Sequence, residues 1–160
     1  MKRSLFLLPL FLFAQFSFSQ TLAGGKNPVV LQFDSTNLPI IVINTNSQTI
    51  VDEPKITCDM GIIYNGVGLL NHLADPFNNY SGQIAIEIRG SSSSSFPKKS
   101  YGFETRTNTG GKKDTSLLGM PAEHDWVLSA SYTDKTHMRN VLSYKLFTDF
   151  GRYATRTRYC

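Results

Sequence analysis

Apolar and polar positions alternate most cleanly at Ile84, Ile86 and Ile88, set against Ala85, Glu87 and Arg89. A period of two over six residues predicts a half-buried strand. Lys99, Tyr101 and Phe103 then alternate with Ser100, Gly102 and Glu104. The small-residue run Ser91 to Pro97 lies between the two, so an antiparallel ribbon closed by a tight turn is expected. Two other runs read as strands: Leu38 to Ile43, β-branched and apolar, and Lys55 to Tyr64, bounded by Pro54 and by Asn65-Gly66. Asn44 to Ser47 has turn chemistry, and Gly66 to Ser81 reads as a loop rich in Gly, Asn, Asp and Pro. Asn108 to Lys113 predicts a second turn with a hairpin around it, and Asp125 to Ala130 a further short strand.

The period changes after Thr133. Met138, Val141, Leu142, Leu146, Phe147 and Phe150 recur at three- and four-residue steps, which is the stripe of one amphipathic helix. Thr133 or Asp134 is placed to cap it and Gly151 to stop it. The pattern predicts an α+β fold, rich in antiparallel hairpins with one main helix. The last segment, YATRTRYC, reads as a chain heading into a strand. The 160 residues are therefore expected to be the N-terminal part of a longer protein.

The first residues belong to a different pattern. Lys2 and Arg3 precede an apolar run from Leu5 to Phe18 with no acid, and Ser17 and Ser19 are small residues at cleavage spacing. This predicts a secretory signal over 1–19, cut between Ser19 and Gln20, with a released or cell-surface protein as the consequence. The run is short for a membrane span, so an uncleaved anchor is the lesser reading. A polar segment, 20–37, follows, and the domain proper is expected over 38–160.

Cleavage removes Lys2 and Arg3 and no acid, which lowers the formal charge from +4 to +2. A charge this small implies no nucleic-acid partner. Cys58 and Cys160 could pair in an exported protein, but two lone cysteines so far apart are a weak disulfide signal, and unpaired is the preferred reading. Nothing in the sequence specifies an oligomeric state.

Candidate chemistry converges on the ribbon's turn. Gly90 permits unusual backbone geometry, the serines supply hydroxyls, and Lys98 and Lys99 supply charge. Gly90, the five serines Ser91 to Ser95, Lys98 and Lys99 are thus candidates to hold a phosphate. On composition alone an ordinary solvated hairpin tip is the commoner outcome. Familiar alternatives fail: after Gly66-Val67-Gly68 the third glycine position is Asn71, and Gly110-Gly111-Lys112-Lys113 lacks the first glycine and the hydroxyl residue of a P-loop. His72, His124 and His137 have no ligand spacing, so no metal site is expected from them. His124-Asp125 lacks a serine elbow, and Asn79-Tyr80-Ser81 is a sequon of a kind common by chance. Asp134 and Arg139 flank the start of the helix as ion-pair candidates, a bland electrostatic fit at that end.

Taken in order, RGSSSSSFPKKSYGFET (Arg89 to Thr105), SLLGMPAEHDWVLSASYTDKTHMRNVLSYKL (Ser116 to Leu146) and GRYATRTRY (Gly151 to Tyr159) resemble the CotH kinase family, with VDEPKITCDMGIIYNG (Val51 to Gly66) similar to the lead-in of secreted bacterial members. The family comprises atypical protein-kinase-like enzymes known from spore coats. The resemblance implies ATP, Mg²⁺ and phosphoryl transfer to Ser or Thr of a protein substrate, and the first lobe of a kinase-like fold. It places the turn Arg89, Gly90, Ser91, Ser92 and Ser93, with Lys98 and Lys99, at the nucleotide phosphates, and matches the family's helix motif at Asp134, Lys135, Met138, Arg139 and Asn140. It also implies that the metal-binding and catalytic acids lie beyond residue 160, so that the fragment alone is inactive. Two alternatives stay open: a non-catalytic surface, adhesion or spore-coat-like module on the same fold, and a secreted β-sandwich binding glycan through Tyr64, Tyr80 and Tyr132.

Overall fold

A computed structural model describes residues 33–160. The leader expected over 1–19 and most of the polar segment lie outside the described residues. The elements are β1 (Ser35–Thr36), β2 (Ile40–Asn44), β3 (Ile56–Ile63), β4 (Asn71–His72), β5 (Tyr80–Arg89), a 3-10 turn (Ser92–Ser95), β6 (Ser100–Thr105), β7 (Asp125–Leu128) and α1 (Arg139–Asp149). Five strands form one antiparallel sheet in the order β2-β3-β5-β6-β7, and β1 pairs with β4 in a separate two-residue ladder. The fold is α+β, β-rich and antiparallel with a single helix among the described residues, as the periodicities predict.

Register sorts the side chains onto two faces. Cys58 lies opposite Ile84, Ile56 opposite Ile86, Ile86 opposite Phe103, and Phe103 opposite Trp126. These residues, with Met60, Ile62 and Tyr80, make the core, and Leu117 and Leu118 from the β6–β7 connection close over it. Ile62, Ile84 and Ile86 are fully buried. Each contributes about 1.5–3 kcal/mol through removal from water. The opposite face carries Asp59, Gln83, Glu87, Arg89, Glu104 and Asp125. Along β5, charges on one side and isoleucines on the other explain the alternation in the sequence, whereas Ile40 and Ile63 are buried on the charged face where β2 starts and β3 ends.

Several boundaries move. The strand expected from Ile84 starts at Tyr80, because Ser81 and Tyr80 continue the ladder opposite Gly61 and Ile62. Ordered structure begins before residue 38. Asn71, fully buried, donates through Nδ2 to the Leu38 carbonyl at 2.9 Å and accepts the Asn65 N–H, pinning the start of β2 to the 65–71 loop. The second turn is present: Thr107 N–H donates to the Gly111 carbonyl, and a single bridge joins Arg106 to Lys112. The segment 153–160 forms no strand; it is held by side chains instead, Arg158 Nε donating to the Leu118 carbonyl at 3.3 Å and Tyr159 Oη to the His137 carbonyl at 2.9 Å. Cys58 and Cys160 are both free, the first buried in the core and the second exposed.

The helix differs most from expectation. It begins at Arg139, not at Thr133 or Asp134, because residues 131–138 form tight turns closed by Asp134 N–H to Ser131 O and His137 N–H to Asp134 O. Its end is as expected: Gly151 sits at φ +70°, with Gly151 N–H bonded to Thr148 O and Arg152 N–H to Phe147 O, a Schellman closure. Its apolar stripe is not packed. Leu142, Leu146, Phe147 and Phe150 are exposed, and no residue of α1 is buried.

Candidate functional site

The β5–β6 hairpin is aligned with Arg89 opposite Ser100, and residues 90–99 form its loop. Gly90 holds φ +114°, and a Cβ built there would lie 2.0 Å from Ser93 Oγ. The backbone angle therefore favours glycine, and a side chain there would also have to displace the Ser93 hydroxyl. The 3-10 turn that follows is closed by its own serines. Ser94 Oγ donates to Ser91 O at 2.5 Å and Ser95 Oγ to Ser92 O at 2.8 Å. Lys99 donates from Nζ to the Ser94 carbonyl at 2.5 Å, so this lysine fastens the turn from the base of β6.

The remaining groups are free. The hydroxyls of Ser91, Ser92 and Ser93 have no partner among the described residues, and Ser91 makes no side-chain cap. Arg89 and Lys98 are exposed and pair with no carboxylate among the described residues. The structure thus places Arg89 at the end of β5 and the other candidates in the loop that follows it, and divides the polar groups there. Ser94, Ser95 and Lys99 build the turn; Arg89, Lys98 and the first three serines present unsatisfied polar groups at its surface.

The loop is also tied to the segment before α1. Phe96 stacks on Tyr132 at 5.2 Å between ring centroids, Lys135 Nζ lies 4.6 Å over the same Tyr132 ring, and Ala130 N–H donates to Ser100 Oγ at 3.1 Å. Two residues beyond Tyr132 stands Asp134. Its carboxylate accepts from Thr136 Oγ1 at 2.7 Å and from the Arg139 N–H at 3.0 Å, and it pairs with Arg139 Nε at 3.6 Å. These bonds, the Thr136 hydroxyl first, hold the Asp134 carboxyl below its ordinary value. The Asp134–Arg139 pair is real, and its evident work is to satisfy the first amide of the helix.

A second cluster escaped the sequence reading. Glu104 is buried, 6% exposed, on the polar face of the sheet. It accepts from Lys55 and Arg106, and Lys112 stands 3.8 Å away. Lys55 also reaches Glu87 at 3.7 Å. The Lys55 hydrogen bond is the main reason the Glu104 carboxyl is pulled down, and the same bond raises Lys55. Beside them, His124 Nδ1 lies 2.6 Å from Asp114 and Nε2 lies 3.2 Å from Asp125. Alternation sets Glu104 opposite the apolar positions of its strand and says nothing of what covers it. The cue in the sequence was the cationic crowd of Arg106 and Lys112 close behind it, but Lys55 is 49 residues away and only the sheet brings it in.

The three tyrosines do not make a common surface. Tyr80 is in the core, Tyr64 packs against it, and Tyr132 is stacked under Phe96. Asn79 of the sequon spends its Oδ1 on the Leu118 N–H.

A family model described as CotH kinase protein matches residues 86–160. The match begins midway along β5 and takes in the hairpin loop, Glu104, the Tyr132–Asp134 segment and α1; Lys55 lies before it. No curated protein and no solved structure matches the chain.

Proposed function

We propose, from the match of residues 86–160 to the family model described as CotH kinase protein, that the β5–β6 hairpin holds the phosphates of ATP in a protein kinase acting on Ser or Thr. The observation that carries this reading is the division of labour in the loop. One set of serines and Lys99 closes the turn, which leaves Ser91, Ser92 and Ser93 hydroxyls unpaired between two uncommitted cations, Arg89 and Lys98. A triphosphate needs such donors at close backbone approach, and Gly90 allows it. In this reading Arg89 and Lys98 neutralise phosphate charge, the three hydroxyls orient phosphate oxygens, and Lys99 keeps the turn shaped. Bound ATP supplies the transferable phosphoryl group.

Phosphoryl transfer also draws on a divalent metal and positioned acids. Among the described residues no group of three His, Cys, Asp or Glu is placed to hold a metal ion, and no step is assigned to one. The part of the reaction given to these residues is nucleotide binding. Export through the segment 1–19, leaving the protein released or on the cell surface, completes the proposal. Among the described residues no helix is long and apolar enough to cross a membrane.

Titration calorimetry with Mg-ATP on the full chain tests it. Lys98→Ala and Arg89→Ala should each weaken binding by about tenfold, the size of one lost charge-assisted contact. Lys99→Ala should weaken it as well, through loss of the turn. Unchanged affinity in both Lys98→Ala and Arg89→Ala would sink the assignment.

A further inference from the structure

The far end of the polar face holds a groove of ≈ 480 Å³ that the hairpin does not use. Gln83, on its floor, is six residues along β5 from Arg89, or about 20 Å at strand spacing. Two cross-strand rows build it. Asn44, Asp59 and Gln83 stand directly opposite one another on β2, β3 and β5, and Val42, Gly61 and Ser81 form the next row. Phe77 lies on the second row. A Cβ built on Gly61 would be 2.4 Å from Phe77 Cγ, 2.4 Å from Cδ1 and 2.5 Å from Cδ2. Near-equal distances to three atoms of one six-membered ring put that point over the ring's centre. The ring therefore lies face-down on Gly61, and any larger residue there would lift it. Its other face is open, with Phe77 47% exposed.

The polar groups beside this ring are uncommitted. Gln83 is bonded through its backbone carbonyl, from Tyr80 Oη and Arg106 N–H, and its side-chain amide has no partner among the described residues. The same holds for the side chains of Asp59, Ser81 and Asn108, all lining the groove. Asn44 accepts one bond, from Asn46 N–H, and keeps its amide N–H₂. A fixed aromatic face next to a carboxylate, amides and a hydroxyl that are all unpaired is a specific chemical demand. The ring wants the apolar C–H face of a ligand, and the row wants a ligand edge dense in hydroxyls. Adjacent strands are about 4.8 Å apart, the spacing at which side chains of one row reach alternate hydroxyls of one sugar ring.

We infer that this groove binds a neutral pyranose saccharide, its C–H face on Phe77 and its hydroxyls on the Asp59–Gln83 row. Asp59 has no countercharge among the described residues, which selects against acidic sugars. The site is separate from the nucleotide reading and does not depend on it. The aromatic that carries it is Phe77, not any of the three tyrosines singled out from the sequence.

Calorimetry of the full chain against the β-1,4-linked tetramers of glucose and of N-acetylglucosamine, with tetragalacturonate as the acidic counterpart, tests the inference. One or both neutral tetramers should bind. Phe77→Ala and Asp59→Ala should each weaken that binding by about tenfold or more, and Phe77→Tyr should hold it within about threefold. Asp59→Ala removes a side chain with no partner, so its urea midpoint should equal that of the parent and report on binding alone. Lys98→Ala should leave saccharide affinity unchanged, and Phe77→Ala should leave Mg-ATP affinity unchanged, so the two sites fail or stand separately. The inference is overturned if neither neutral tetramer binds at about 10 mM, if tetragalacturonate binds as tightly as the neutral tetramers, or if Asp59→Ala and Phe77→Ala both bind as the parent does.

Discussion

Replacing Glu104 by glutamine keeps its shape and removes its charge. The carboxylate is 6% exposed and takes bonds from both Lys55 and Arg106, so the change leaves two cations facing a neutral amide. Breaking a fully buried ion pair on one side costs about 3–5 kcal/mol. Here the partners are only partly covered, Lys55 with 27% and Arg106 with 23% of the side chain exposed, and they recover some hydration. Glutamine also keeps one acceptor oxygen. The expected loss is about 2 kcal/mol, read as a lower urea midpoint at unchanged slope, with a melting temperature lower by about 6–10 °C. Glu87→Gln is the reference: it breaks a single 3.7 Å contact at a partly exposed site and should cost no more than about 0.5 kcal/mol. Acidity supplies a second reading of the same bond. The Glu104 carboxyl is held below its ordinary 4.5, so its contribution is complete above that pH and is lost as pH falls through the lower, folded value. Lys55 is raised above 10.5, so the same bond is complete below that pH and is lost as pH rises through the higher, folded value. The parent should therefore lose stability in acid more steeply than Glu104→Gln. Equal midpoints for the Glu104 and Glu87 variants at pH 7, or parallel acid profiles for Glu104→Gln and the parent, would refute this account.

Other consequences can be measured alongside. Gly90→Ala forces a side chain into φ +114° and onto Ser93 Oγ; it should cost about 1–3 kcal/mol in urea and reduce Mg-ATP affinity in calorimetry. Asp134→Ala removes the acceptor of the Arg139 N–H and should cost about 1 kcal/mol, with a loss of helical circular dichroism. Leu146→Ser with Phe147→Ser touches only exposed positions of α1 and should shift stability by no more than about 0.5 kcal/mol; a loss of several times that would show the helix to be packed after all.

The sheet was legible because its signal is local. Period two in Ile84–Arg89 and Lys99–Glu104 fixes which side faces the core, and a ribbon needs only a turn between two such runs. The missed first residues of β5 have the same logic: Ser81 and Gly82 carry no apolar signal, and only pairing with Met60 and Gly61 makes them strand. The helix start was misplaced because Asp134 looks like a cap in sequence. It does cap, but from a turn five residues upstream, reaching the Arg139 amide across His137 at φ +55°. The loop's phosphate candidates were visible as a composition; which serines build the turn and which are left free was not, because that depends on the 3-10 closure. Glu104 with Lys55, and Phe77 on Gly61, were invisible for a common reason. Each joins residues 16 or more positions apart, and neither partner is unusual alone.

Sheet order has a kinetic side. Every ladder of the five-stranded sheet joins strands that are neighbours in the chain, apart from the short β4 excursion between β3 and β5. Within that sheet no strand waits for a distant one, and only the two-residue β1–β4 ladder joins segments far apart in the chain, so each hairpin of the sheet forms by closing a modest loop on a template already laid down. Such a chain can zip from β2 to β7 in the order of its sequence. The slow search that burdens sheets with crossed-over strands is largely avoided, and with it the long-lived exposure of unpaired apolar edges.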